Sequence, residues 1–122
     1  DDYNVLDCIT TFFRPKVIIA EINSKLGPSA RWRYSEMTKS TPSGDNFGMS
    51  FATLNDLMKG KRYNYLAMNA ATGLNAIFID EEYSNLFPEL KSYIGFVPPF
   101  YRWPKRMFGK PSFELVESIL NG

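Results

Sequence analysis

Polar side chains that could do chemistry cluster at four places in this 122-residue chain. Glu21 and Asn23 directly follow the apolar run Val17-Ile18-Ile19-Ala20. A carboxylate and an amide at the carboxyl end of a buried strand stand where open α/β sheets bind ligands. The same pair could equally cap the strand and order the loop behind it. Arg31 and Trp32 open a basic and aromatic cluster that continues through Arg33 and Tyr34. Such a cluster can stack on a planar ligand or grip an anion, or it can form an edge strand that lays aromatics over a sheet. Asn75 begins a second apolar stretch, where it can reach a site or order a turn. Asp1 and Asp2 precede a helical pattern and suit the positive end of a helix. The chain has no histidine, which excludes Ser-His-Asp chemistry and His-bearing zinc sites within it. Asp80, Glu81 and Glu82 read as a solvated strand end, so no metal site is expected, and no residue carries a catalytic signature.

The elements that must position these groups follow from periodicity. Val5, Leu6, Ile9, Phe12 and Phe13 recur at the spacing of one helix face, and Pro15 stops that helix. Cys8, beside the stripe, reads as a small buried residue. Residues 16–22 read as a central strand, because an unbroken apolar run fits a strand covered on both faces. The connection from Ser24 to Met49 is longer than the roughly 12–15 residues an ordinary loop takes, and Thr38 to Asn46 is polar and turn-rich. Ser50 can cap a second helix with an apolar stripe of Phe51, Leu54, Leu57 and Met58, and Gly60 sits at the position just past its end. Tyr63 to Asn69 and Asn75 to Asp80 read as a hairpin turning near Gly73, its second strand interior. Leu86 to Ile94 suits a short helix. Pro111 can open a last one, with Phe113, Val116, Ile119 and Leu120 as its stripe.

The fold class is therefore α/β, a small mixed sheet of the central strand 16–22 and the hairpin 63–80, flanked by helices. A helix that runs straight into a buried strand is the second half of a βαβ crossover. The strand that would feed it is absent, which suggests that an N-terminal part is missing or lies on another chain; the alternative is an α+β domain that simply begins with a helix. Residues 1–122 are thus expected to be a single domain and a fragment of a longer protein, with an α/β part over 1–83 and an aromatic and basic extension over 84–122.

Here a resemblance enters. The stretches DDYN (Asp1 to Asn4), FRPKVIIAEINSKLGP (Phe13 to Pro28), FGMSFATLNDL (Phe47 to Leu57) and TGLNAIFI (Thr72 to Ile79) together resemble the C-terminal half of class I S-adenosylmethionine-dependent methyltransferases. They look most like the FkbM-type and related uncharacterised families. The resemblance covers about two thirds of the chain. It implies a Rossmann-like arrangement in which the 75–80 strand lies antiparallel beside the 16–22 strand and the 63–69 strand takes the edge. It implies that Glu21, Asn23 and the following loop line an acceptor pocket, that Asp1 and Asp2 face the methyl donor, and that a full-length parent uses S-adenosylmethionine. Such enzymes hold that cofactor with a Gly-rich loop and an acid in their first half, and neither is present here. This chain alone is expected to bind no cofactor and to be inactive.

Composition narrows the partners. Fourteen Lys and Arg nearly balance thirteen Asp and Glu, so overall charge does not argue for nucleic acid. Arg102, Lys105 and Arg106 alternate with aromatics, a pattern that suits bases, an acidic partner or a membrane interface, or aromatics covering the core; no specific nucleic-acid binding is expected. No apolar run is long enough to span a membrane. One cysteine excludes an internal disulfide and points to a reducing, cytoplasmic setting. Two function classes stay open. One is a methyltransferase-like domain contributing an acceptor pocket. The other is a non-catalytic interaction or oligomerisation module whose exposed sheet edge pairs with another chain. The expected partners are a second copy, giving a homodimer, or the missing N-terminal half.

Overall fold

The computed structural model describes residues 2–34, 47–87, 95–97, 116, 117, 119 and 120. Helix α1 spans Asp2–Phe12. The Phe13 amide closes its last turn on the Ile9 carbonyl at 2.8 Å, and Pro15 disfavours helical geometry at Arg14. Strand β1, Val17–Glu21, follows at once. A 3₁₀ turn at Ser24–Leu26 leads away from it. Helix α2 spans Phe51–Gly60, started by Ser50, whose hydroxyl accepts from the Thr53 amide. Strands β2, Tyr63–Met68, and β3, Asn75–Asp80, form the hairpin. Its loop is built by Asn69, whose side-chain oxygen accepts from the Ala71 and Thr72 amides at 2.9 and 3.1 Å. Gly73 supplies the positive φ that the turn requires. A second 3₁₀ segment covers Glu81–Leu86.

The sheet has the order β1-β3-β2, and both pairings are antiparallel. Two expectations are corrected here. Among the described residues the sheet is not mixed, and β1 is an edge strand of it, not the central one. Burial along β1 alternates, with Ile18 and Ala20 inside and Val17 and Ile19 48% and 64% exposed. The run Val17-Ile18-Ile19-Ala20 is apolar on both faces, but only one face is covered, and residue type alone does not distinguish the two cases. The hairpin and its interior second strand are as read. The aromatic cluster at 31–34 makes a single bridge, Arg33 with Met49, rather than an edge strand.

The core lies on one face of the sheet. Ile18 and Ala20 of β1, Ala76 and Phe78 of β3, and Tyr63, Tyr65 and Met68 of β2 pack against Phe51, Leu54 and Met58 of α2, with Ile22 and Met49. Only Tyr3 and Leu6 of α1 join them. The predicted face of α1 is thus rotated away from the core: Val5, Ile9, Phe12 and Phe13 are exposed, and so is Cys8. The 3.6-residue period shows which side chains share a stripe, not what the stripe lies against.

Two junctions lock the frame. Arg14, between α1 and β1, holds Asp80 at the end of β3 with two bonds, Nε to Oδ2 at 2.7 Å and Nη2 to Oδ1 at 2.8 Å. Asp80 is buried, which corrects its reading as a solvated strand end. Lys61, just past α2, reaches Asp7 Oδ1 and Thr11 Oγ1 of α1, each at 2.7 Å. The residue in left-handed geometry after α2 is Arg62, at φ 65°, whereas Gly60 ends the helix itself. The proposed helix from Leu86 to Ile94 falls almost wholly, and the 38–46 stretch and the Arg102, Lys105 and Arg106 cluster fall entirely, outside the described residues. At the last predicted helix, residues 116, 117, 119 and 120 are helical.

Candidate functional site

Two features meet at the outer side of β1. The first is its backbone. The Asp80 amide donates to Lys16 O and the Ile22 amide to Leu74 O, and the register pairs Ile18 with Phe78 and Ala20 with Ala76. In an antiparallel pair, hydrogen-bonded and non-bonded positions alternate. The even-numbered residues of β1 therefore bond to β3. The N–H and C=O groups of Val17, Ile19 and Glu21 point to the other side, where the described residues place no strand. The second feature is a groove of about 210 Å³ beside that edge, lined by Asp2, Val5 and Leu6 of α1 and by Ile19, Ala20 and Glu21 of β1. The exposed α1 stripe of Val5, Ile9 and Phe12, spaced four and three residues apart, continues along the helix from the groove.

The electrostatics of the groove are acidic. Asp2 and Glu21 are both exposed. Among the described residues the ion pairs are Arg14 with Asp80, Arg31 with Asp56, Lys61 with Asp7 and Arg62 with Glu81. None of them engages Asp2 or Glu21.

The residues singled out in the sequence divide between this groove and other places. Asp2 and Glu21 share it. Asn75 is the cross-strand partner of Glu21 and its carbonyl accepts from the Asn69 amide at 2.9 Å, closing the hairpin. Asn23 is fully buried, with its amide on Met49 O at 2.7 Å and its side-chain nitrogen directed at Phe47 O. Trp32 is buried too, its amide shared between Ser50 Oγ and Thr53 Oγ1 at 3.0 and 2.9 Å. Arg31 is exposed and engaged by Asp56 at 2.7 Å. Asn23 and Trp32 thus flank the Met49–Ser50 backbone and order the entry to α2, away from the groove. Asp1 lies outside the described residues.

Sequence reasoning missed Val5 and Ile9 as surface residues, because their spacing matched a core stripe. It also missed the Arg14–Asp80 pair, whose partners stand 66 residues apart. Burial alone would push the Asp80 carboxyl up. The Glu82 amide and the Arg14 guanidinium outweigh burial and hold it below its ordinary value. Burial raises Tyr63, whose hydroxyl donates to Pro15 O at 2.8 Å.

No protein-family model, no curated protein and no solved structure matches this chain. Among the described residues no helix is long and apolar enough to cross a membrane.

Proposed function

We propose that this chain is a non-catalytic protein-interaction module that extends its sheet through the free edge of β1, with a second copy of itself as the partner always at hand. One observation carries the reading: Val17, Ile19 and Glu21 direct backbone groups outward to a side where no strand lies among the described residues, while Val17 and Ile19 keep apolar side chains exposed. Such an edge is a template for strand addition, and no proline, bulge or inward charge interrupts it between Val17 and Ala20. The alternative, an acceptor pocket in a methyltransferase-like parent that binds S-adenosylmethionine, rests on the resemblance alone. It retains Asp2 and Glu21 at one groove but not Asn23 or Trp32. A reducing, cytoplasmic setting suits the exposed Cys8 thiol.

Sedimentation velocity across a concentration series tests the reading. Ile19→Lys places a charge on the open face in the middle of the edge, where the fold tolerates it and a paired strand does not. The expected result is concentration-dependent association that this variant weakens by about tenfold or more. Association that survives Ile19→Lys unchanged would rule the β1 edge out as the surface through which two copies meet.

A further inference from the structure

The charges of the groove select among the strands that could pair with β1. We infer that its occupant is an extended segment of a different protein, added antiparallel to β1, carrying Lys or Arg opposite Glu21 and apolar side chains opposite Ile19 and Val17. This rests on the edge-pairing reading above. An antiparallel strand sets one side chain beside each of Glu21, Ile19 and Val17 on the open face. The intervening side chains, opposite Ala20 and Ile18, turn toward α1 and enter the groove walled by Val5 and Leu6. Small apolar residues fit there. The groove also carries Asp2 beside Glu21, and among the described residues no ion pair engages either carboxylate, so the groove presents two acidic groups to the incoming strand.

A second copy meets these requirements less well. Two-fold pairing through the outward-facing groups sets Glu21 opposite another odd-numbered residue of 13–23, none of them a cation, and in the register centred on Ile19 it sets Ile19 against Ile19. It then places each Glu21 against Val17 of the other copy, covering two carboxylates with apolar groups and no cation. It also brings Pro15 opposite Asn23 at a bonding position, where proline has no N–H to give. Self-pairing is therefore the weaker use of this edge, and a basic-ended strand displaces it.

The probe is a fluorescein-labelled peptide, acetyl-GKAVAVG-amide, titrated with the full chain by fluorescence anisotropy. Beside it run acetyl-GEAVAVG-amide and the order-reversed acetyl-GVAVAKG-amide. The Lys-first peptide should bind tighter than the Glu peptide by roughly fivefold or more, a gap that narrows at about 0.5 M salt. Glu21→Lys should reverse the preference, and Ile19→Lys should abolish binding of all three. Equal binding of the Lys and Glu peptides, or a preference that Glu21→Lys leaves intact, overturns the basic partner; loss of binding in Ile19→Lys would still uphold the edge. No peptide binding, together with a dimer that Ile19→Lys dissolves, makes the second copy the occupant and overturns this inference alone. Neither peptide binding nor Ile19-dependent association overturns both readings.

Discussion

Asp80 shows how much one side chain can depend on a partner far along the chain. Its carboxylate is 2% exposed, a position that would be costly without compensation. Arg14 supplies two hydrogen bonds, and the Glu82 amide adds another to Oδ1 at 3.0 Å. Arg14 is itself shared with Lys61 O and Arg62 O and lies over the Tyr63 ring, 5.4 Å from its centroid. The net result is a carboxyl held below its ordinary value. At low pH the unfolded chain takes up this proton more readily than the folded one, so acid favours unfolding. The contribution is fully present above the unfolded value of about 4 and is lost as pH falls through the depressed folded value. Asp80→Asn should therefore lower the melting temperature by several degrees at neutral pH. Below about pH 4 its curve should fall less steeply than that of the parent chain. Parallel curves in a pH series of thermal melts would show that Asp80 titrates alike in both states.

At the scale of elements, the two helices differ in what holds them. Helix α2 buries Phe51, Leu54 and Met58, whereas α1 buries no residue fully and meets the core through Tyr3 and Leu6. Its other anchors among the described residues include surface contacts: Lys61 to Asp7 and Thr11, Arg33 to Asn4, and Arg33 over the Tyr3 ring at 4.5 Å. Exposed ion pairs contribute about 0–1 kcal/mol each, so α1 opens at lower cost than α2 or the sheet. Hydrogen exchange should find α1 amides less protected than those of β3. Leu6→Ala should lower that protection by a further ~1 kcal/mol, as expected for a half-buried leucine. Protection of α1 equal to that of β3 would contradict this. The same contrast explains what was legible in the sequence. Ser50, with the stripe of Phe51, Leu54 and Met58, announced α2, and Asn69 with Gly73 announced the hairpin, because caps and turns are encoded in neighbouring residues. Which of β1 and β3 is central depends on pairing between residues some sixty apart, and two apolar runs of similar composition do not contain that choice. The candidate site was legible in the same measure. Glu21 and Asp2 stood out as polar groups, while the exposure of Val5 and Ile19 depends on a layer that no local pattern describes.

The whole molecule is closed by rings from four parts of the chain. Phe51 of α2 meets Tyr65 of β2 edge-on at 5.0 Å and Phe96 at 5.8 Å, and Tyr65 meets Phe78 of β3 at 5.8 Å. Such edge-to-face pairs add about 0.5–1.5 kcal/mol each beyond burial. Tyr65 also joins distant segments, since its hydroxyl donates to Gly95 O at 2.8 Å. The backbone there comes so close that a Cβ on Gly95 would sit 3.0 Å from the Tyr65 oxygen. The Val97 amide, directed at Met68 Sδ at 3.4 Å, continues the contact. Burial pushes the Tyr65 phenol up to about 12. Its folded value thus lies above the unfolded one of about 10. The stability this confers is complete below the unfolded value and is lost as pH rises from there through the folded value. Tyr65→Phe keeps the ring and removes the hydroxyl, leaving Gly95 O without its donor. The expected cost at neutral pH is about 0.5–1.5 kcal/mol, or a melting temperature lower by roughly 3–6 °C for a chain of this size. Between pH ~10 and ~12 the variant should lose less stability per pH unit than the parent, because one fewer buried phenol resists ionisation. Thermal melts of both chains through that window, followed by circular dichroism, measure the difference. If the two alkaline curves run parallel, Tyr65 ionises as freely in the folded protein as in the unfolded chain, and the 95–97 segment does not shield it.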